Sequence, residues 1–246
     1  MIKPGVNIYK GIHDIATELC NFLAAESDRK NYSIALPGGN TPKAVFELLT
    51  QNCKYQVHWD NLQFYWGDER CVAPDHPESN YRMAYNSLLH PLEIEEASIH
   101  RMKGEDDPAY ETERYTLEIL KNIPNHHGIP AFNLIILGMG DDGHTASIFP
   151  GQKKIFESTR LCDFSVHPVT GQKRITLTLE TINNSENVFF LVTGKNKSKI
   201  ISEILNKKGN WDQYPAGMVR PRAGVLSWLL DIDSAGELGN GFTDLK

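Results

Sequence analysis

The sequence predicts a three-layer α/β fold, in which a mostly parallel, Rossmann-like sheet carries helices on both of its faces. The first observation is a set of four short apolar runs, each followed within two residues by a glycine: Tyr32–Leu36, Leu62–Trp66, 133–137 and 188–192. Nearly continuous apolar strands are typical of a parallel sheet that is covered on both sides. The second observation is that helical patterns lie between these runs, and this alternation predicts a layered α/β protein.

The predicted helices have recognisable sequence patterns. Residues 14–25 carry apolar side chains on one side. Ahead of the next helix, Thr41 stands at a position that favours an N-cap, and Pro42 falls in the first turn, where proline is tolerated. Two further helical patterns cover residues 110–120 and 198–205. Ligands of such folds bind beyond the carboxyl ends of the strands, so the glycine-rich segments after the strands are the expected binding region.

Length and composition exclude several classes of protein. The chain has 246 residues, and 25 basic against 31 acidic residues give a net charge of −6. We expect one domain over residues 1–246, with the last ~12 residues frayed. Nucleic-acid binders usually have a basic excess, so we expect no nucleic-acid partner. The longest apolar runs fall far short of the ~20 residues of a membrane span, so we expect no membrane partner.

The compartment is predicted from the N-terminal residues and the cysteines. The first residues contain no apolar signal region, which favours a cytoplasmic protein. The four cysteines are widely spaced, with no CxxC pair among them. We therefore expect thiols in a reducing compartment. The sequence leaves the oligomeric state open.

The first candidate site follows the run at residues 32–36, where the chain reads Pro-Gly-Gly-Asn-Thr. Gly38 and Gly39 let the backbone approach a ligand closely, and the next helix directs its free N–H groups and the positive end of its dipole to the same place. With Asn40 and Thr41, these residues are candidates for binding an anion such as a phosphate. The spacing of a Walker loop is missing, and the alternative is a tight turn that binds no ligand.

The second candidate site is Asp68-Glu69-Arg70, shortly after the run at residues 62–66. Charged side chains that follow a buried strand are costly unless they have partners. Asp68 and Arg70 are therefore candidates for substrate binding, since a guanidinium can hold a phosphate through two parallel hydrogen bonds. The alternative is an internal ion pair, Asp68–Arg70 or Glu69–Arg82, that fixes the loop.

The third candidate site follows the run at residues 133–137 and reads Gly-Met-Gly-Asp-Asp-Gly-His over residues 138–144. Imidazole titrates near neutral pH, so His144 at this predicted helix start can act as a general base on water. Asp142, or a neighbouring group, is the candidate to hold its tautomer. The alternative is a structural histidine, which is the role we expect for the other histidines. No HExxH or HxH spacing occurs, so we predict no metal.

Taken together, these segments resemble the glucosamine-6-phosphate isomerase/6-phosphogluconolactonase superfamily. The matching segments stand in the family's order and span nearly the whole chain: LPGGNTP at 36–42, GDERCVAPDHPESN at 67–80, GMGDDGHTASIFP at 138–150, RITLTL at 174–179, VTGKNK at 192–197 and YPAGMVRP at 214–221. The segment that contains the DGHTAS motif is specific to the lactonase branch.

The resemblance implies an enzyme of the oxidative pentose phosphate pathway that hydrolyses 6-phospho-D-glucono-1,5-lactone to 6-phospho-D-gluconate without a cofactor. It places His144 at the catalytic position and phosphate-binding cations at Arg70, Arg174 and Lys197. The sugar phosphate lactone is an anion, so a chain with a charge of −6 needs concentrated local cations. We expect the three cations at separate strand ends on one edge of the sheet, without acidic partners.

Two rival interpretations involve different chemistry. A deaminase of the same superfamily resembles this chain in the glycine turn and the DGH motif, but carries a glutamate five residues after the histidine. Phe149 stands at that position here, and a phenyl ring cannot transfer a proton. A non-catalytic sugar-phosphate sensor that regulates transcription would need a DNA-binding module, which neither the chain ends nor the charge provides.

Overall fold

The computed structural model describes residues 4–126, 128–239 and 242. The strands, numbered along the chain, are β1 (Gly5–Tyr9), β2 (Tyr32–Leu36), β3 (Leu62–Trp66), β4 (Asp68–Arg70), β5 (Asn125–His126), β6 (Ile129–Pro130), β7 (Leu134–Leu137), β8 (Cys162–Val166), β9 (Lys173–Leu177), β10 (Asn187–Val192) and β11 (Val225–Asp231). The helices are α1 (Ile12–Glu26), α2 (Asn40–Asn52), α3 (Asn80–Ala84), α4 (Pro108–Asn122), α5 (Lys153–Phe156), α6 (Leu179–Ile182) and α7 (Ser198–Asn206).

The central layer is a parallel sheet of six strands in the order β1-β11-β10-β7-β2-β3. The register places Leu36 beside Trp66 and Leu137 beside Phe190, so the carboxyl ends of these strands meet at one edge. The four apolar runs predicted as strands are β2, β3, β7 and β10. Helices flank the sheet, and the predicted fold class is confirmed.

The core consists of one connected cluster of buried apolar side chains. Strands β2 and β7 are buried along their whole length, which explains their unbroken apolar sequences. In the neighbouring part of the sheet, Phe190 of β10 stacks on Trp228 of β11 with ring centroids 4.0 Å apart. The packed sheet gives the loops at its carboxyl ends a rigid base.

A second, smaller sheet carries two of the predicted cations. Its strands are antiparallel, in the order β4-β9-β8, and Arg70 of β4 lies opposite Arg174 of β9. We expected these arginines at separate strand ends of the parallel sheet, and this expectation is wrong. The chain passes from β3 directly into the second sheet at Gly67. The N–H of Gly67 donates to the carbonyl of Leu36 in the parallel sheet, and its carbonyl accepts from the N–H of Leu177 in the second sheet.

The predicted helices are present with slightly different limits, as α1, α2, α4 and α7. The N-cap predicted at Thr41 is wrong. Helix α2 begins at Asn40, and the residue before it, Gly39, has a φ of 107°, which glycine adopts without steric cost. Thr41 therefore lies inside the helix, where its hydroxyl contacts the hydroxyl of Thr193 at 2.7 Å.

Two of the four cysteines form a disulfide. Cys20 of α1 and Cys53, which follows α2, are joined, and their Cα atoms are 6.0 Å apart. The expectation of thiols is wrong for this pair, because α1 and α2 pack side by side and bring the two cysteines within bonding distance. Cys71 and Cys162 are free.

The C-terminal tail is packed over part of its length. The hydroxyl of Ser234 donates to the carbonyl of Val192 at 3.0 Å, and Leu238 is buried. The expected fraying is therefore wrong for these residues, and most of the tail beyond residue 239 lies outside the described part of the chain. No helix among the described residues is long and apolar enough to cross a membrane.

Candidate active site

A cavity of about 400 Å³ opens at the carboxyl ends of β2, β7 and β10. It is lined by nine of the ten residues predicted for the site: Gly38, Gly39, Asn40, Thr41, Asp68, Arg70, His144, Arg174 and Lys197. The tenth, Asp142, contacts the ring of His144. The structure thus brings the predicted residues together. Within the described ranges, no group of three or more His, Cys, Asp and Glu side chains is placed to hold a metal ion.

His144 is carried by a tight turn after β7. The N–H of Gly140 donates to the carbonyl of His144 at 2.9 Å, and the N–H of Gly143 donates to the carbonyl of Gly140 at 3.1 Å. Gly143 has a φ of 79°, in the left-handed region that favours glycine. The helix start predicted at His144 is wrong, because the chain continues as a loop and the next helix begins at Lys153.

The side chains of His144 and Asp142 form a hydrogen-bonded dyad. Nδ1 of His144 lies 2.6 Å from Oδ1 of Asp142, and the same oxygen accepts the backbone N–H of His144 at 3.1 Å. Burial raises the pKa of Asp142, but the hydrogen bond and charge of His144 outweigh this effect and lower that pKa to about 2. An ionised carboxylate only accepts hydrogen bonds, so Nδ1 carries the hydrogen of the neutral imidazole and Nε2 keeps its lone pair.

Arg70 and Arg174 form a cationic wall of the cavity. The Nε atoms of both are buried and have no hydrogen-bond partner among the described residues. Burial and the charge of Arg70 lower the pKa of Arg174. Nη1 of Arg70 donates to the carbonyl of Glu78 at 2.6 Å. A buried donor without a partner costs about 1–3 kcal/mol, so an anion with several acceptor oxygens would stabilise this wall.

Lys197 differs from the two arginines because it has an acidic partner. It ends the turn Lys195–Lys197 directly before α7, and its Nζ forms an ion pair with Asp141. The same carboxylate accepts a hydrogen bond from Nδ2 of Asn196 at 2.7 Å. The expectation of cations without acidic partners is therefore wrong for Lys197. Of the two consecutive aspartates of the turn, Asp142 contacts His144 and Asp141 contacts Lys197.

Asp68 supplies a buried carboxylate to the cavity. It accepts hydrogen bonds from Oγ of Ser147 at 2.6 Å and from Nδ2 of Asn80 at 3.2 Å, and these contacts replace the ion pair with Arg70 considered above. A Cβ on Gly38 would lie 1.8 Å from Oδ1 of Asn80, so the asparagine needs a glycine there. Asn80 and Ser147 were not predicted from the sequence, because their positions along the chain do not show that the fold brings them into contact with Asp68.

Glu69 organises the loop before α3 and does not line the cavity. Its carboxylate accepts four hydrogen bonds of 2.7–3.0 Å, from the backbone N–H groups of Arg70, Asn80 and Tyr81 and from the hydroxyl of Ser79. Burial raises the pKa of Glu69, and these hydrogen bonds oppose the rise. These hydrogen bonds, and not the ion pair with Arg82 that was the alternative, fix the loop.

We expect Glu69→Gln to lower the free energy of unfolding by about 1–3 kcal/mol. The amide nitrogen would face N–H donors and leave buried groups unpaired. Glu113→Gln, on the exposed side of α4, is the control and should stay within about 0.5 kcal/mol of wild type. Urea denaturation measures both variants, and equal stability of the two would contradict the role given to Glu69.

Comparison with known proteins identifies the family of the chain. A family model described as Glucosamine-6-phosphate isomerases/6-phosphogluconolactonase matches residues 10–228. The 6-phosphogluconolactonase of Haemophilus influenzae is 41% identical over 199 residues, which are 80% of this chain and 84% of the relative. That of Synechocystis sp. is 38% identical over 239 residues, which are 96% of this chain and 95% of the relative.

A solved structure extends the likeness to three dimensions. The 6-phosphogluconolactonase of Trypanosoma brucei has a TM-score of 0.82 at 28% identity, covering 97% of this chain and 100% of that one. The family model covers most of the chain. The two bacterial relatives are 38% and 41% identical to it over 80% or more of its length. The chain is therefore an enzyme of the glucosamine-6-phosphate isomerase/6-phosphogluconolactonase family and groups with its 6-phosphogluconolactonases.

Proposed function

We propose that the protein hydrolyses 6-phospho-D-glucono-1,5-lactone to 6-phospho-D-gluconate in the oxidative pentose phosphate pathway, with His144 as the general base. The observation that carries the proposal is the dyad of His144 and Asp142, in one cavity with Arg70 and Arg174, whose buried Nε atoms have no hydrogen-bond partner among the described residues. A base and a phosphate-binding wall are what the hydrolysis of a phosphorylated cyclic ester requires. The relatives named 6-phosphogluconolactonase support the choice of substrate.

Binding begins with the phosphate. Its oxygens accept hydrogen bonds from Arg70 and Arg174, and Lys197 adds a third positive charge that it shares with Asp141. The glycine turn before α2 contributes as well, because the first N–H groups of a helix have no intrahelical partner and bind anions. Anchoring the phosphate holds the lactone carbonyl near the dyad and replaces a random encounter by a fixed orientation.

The chemistry then proceeds in two proton transfers. Nε2 of His144 accepts a proton from water, whose oxygen bonds to C1 of the lactone and gives a tetrahedral intermediate. As the bond between C1 and the ring oxygen breaks, the imidazolium returns the proton to that oxygen, which becomes the hydroxyl at C5. Asp142 stabilises the imidazolium between these steps. General acid–base catalysis of this kind contributes ~10²–10⁴ in rate, which suffices for an activated lactone.

The deaminase alternative lacks the group that it needs. Phe149 is fully buried, and its ring centroid lies 4.7 Å from that of the His144 imidazole. A carboxylate at this position would move a proton during ring opening, whereas the phenyl ring only packs against the base. This contact favours lactone hydrolysis over deamination.

Incubation of the purified protein with freshly generated lactone and an excess of 6-phosphogluconate dehydrogenase tests the proposal. We expect NADPH to form faster than spontaneous hydrolysis of the lactone allows. Ammonia release from glucosamine 6-phosphate would instead support a deaminase. Tight binding of 6-phosphogluconate without any acceleration of lactone hydrolysis would replace the proposal by that of a sugar-phosphate sensor.

A further inference from the structure

The turn that carries His144 is held by a residue outside the cavity lining, Tyr214. A Cβ atom on Gly143 would lie 2.6 Å from Cδ1 of Tyr214, so the tyrosine ring packs directly against the glycine backbone. Two residues along the chain, the N–H of Ala216 donates to the carbonyl of Gly143 at 3.1 Å. The residue between the two members of the dyad is therefore fixed by both a ring contact and a hydrogen bond.

Tyr214 is itself held by helix α7. Its hydroxyl donates to Oε2 of Glu203 at 2.9 Å, and burial together with this carboxylate raises the pKa of Tyr214. Glu203 also accepts the backbone N–H of Asn210 at 3.4 Å. The ring is thus held at both ends, by the hydrogen bond of its hydroxyl to Glu203 and by its contact with the backbone of Gly143.

Helix α7 thus reaches the turn at two points. Directly before the helix, Lys197 forms an ion pair with Asp141. Farther along the helix, the Glu203–Tyr214 hydrogen bond reaches Gly143. The dyad carboxylate, Asp142, stands between these two points in the sequence. Contacts from Lys197, directly before α7, and from Glu203 through Tyr214 therefore hold the chain on both sides of it.

We propose that Tyr214 and Glu203 are positioning residues for the dyad, an inference that rests on the proposed lactone hydrolysis. Their hydrogen bond holds Gly143 so that Nδ1 of His144 stays aligned with Asp142 while the imidazole takes up and returns a proton. Neither residue lines the cavity. The pair therefore acts on turnover and not on the binding of the phosphate.

Removing the hydrogen bond tests this role. Tyr214→Phe keeps the ring and loses the hydroxyl, and Glu203→Ala loses the acceptor. We expect each variant to lower kcat about tenfold, as for the loss of one hydrogen bond to a charged group, while KM and the calorimetric Kd of 6-phosphogluconate stay within about twofold. Glu203→Gln keeps an oxygen acceptor and should retain more turnover than Glu203→Ala. The exposed Tyr55 provides the matched control, Tyr55→Phe.

A double-mutant cycle separates positioning from a general loss of stability. If Tyr214 acts through His144, Tyr214→Phe lowers kcat in the wild-type background and has no further effect in the His144→Ala background. Equal fold losses in both backgrounds would overturn the inference. So would a kcat of Tyr214→Phe equal to that of Tyr55→Phe.

Proton NMR of the His144 ring provides a readout that does not depend on the reaction. The Nδ1 proton, held by the carboxylate, should give a strongly deshielded signal in the wild type and in Tyr55→Phe, and a shifted or broadened one in Tyr214→Phe. An unchanged signal in Tyr214→Phe would overturn the positioning role. A changed signal in a protein that fails to hydrolyse the lactone would instead uphold the positioning role and refute the proposed function.

Discussion

Replacing His144 with alanine is expected to lower kcat by ~10²-fold or more while the Kd of 6-phosphogluconate changes little. In the proposed mechanism the lone pair of Nε2 is needed when water attacks the carbonyl, whereas Arg70 and Arg174 hold the phosphate. Steady-state kinetics in the coupled assay give kcat, and titration calorimetry with 6-phosphogluconate gives the binding constant. Loss of binding with intact turnover would show that the role assigned to His144 is wrong.

Asp142→Asn is the partner variant of this experiment. The asparagine amide can donate to Nδ1 and so favour the tautomer in which Nε2 carries the proton and cannot act as a base. We therefore expect kcat to fall in this variant as well, with the Kd of 6-phosphogluconate retained. His58→Ala, at an exposed histidine, is the control and should match the wild type in both measurements.

Arg174→Ala is expected to raise KM ten- to a hundredfold, because the loss of a charge-assisted contact to a phosphate costs about 1.5–3 kcal/mol. Arg70→Ala should have the same effect on KM. It should not destabilise the fold by leaving Asp68 unpaired, because the carboxylate of Asp68 is hydrogen-bonded to Ser147 and Asn80. Sulfate and inorganic phosphate should compete with the substrate, and added salt should weaken binding by screening.

Lys197→Ala is also expected to raise KM strongly, and for an additional reason. It leaves the carboxylate of Asp141 without its cation, next to the substrate phosphate, so that repulsion adds to the lost attraction. The double variant with Asp141→Ala should then bind substrate better than Lys197→Ala alone. Lys195→Ala, at an exposed neighbour, is the control. If the arginine and lysine variants all matched it, the phosphate site would lie elsewhere, with the turn at residues 38–41 as the next candidate.

The strands that could be predicted from the sequence are those buried on both faces. β2 and β7 are buried at every position, so their sequences are apolar without interruption and the following glycines mark their ends. β1 is partly exposed over most of its length, and β11 begins with an exposed residue and contains Ser227. Neither therefore contains the continuous apolar run on which the prediction depended.

The site could be predicted as a set of residues but not as a set of contacts. Most candidates lay in segments that follow a predicted strand, and the fold brings these segments together, whereas Arg174, which the resemblance implied, lies within β9. The pairing of Arg70 with Arg174 depends on the register between β4 and β9, which lie far apart in the sequence. Which of two consecutive aspartates reaches His144 depends on the path of the turn, and the sequence alone does not show that path.

The disulfide between Cys20 and Cys53 encloses β2, the glycine turn and α2. A covalent link across a segment of this length removes conformations mainly from the unfolded chain and is worth about 3–4 kcal/mol. Among the described residues that line the cavity, none is a cysteine, so reduction of the bond leaves the reacting groups as they are. Reduction of the bond is therefore expected to lower the free energy of unfolding of the enzyme and to leave its kcat unchanged.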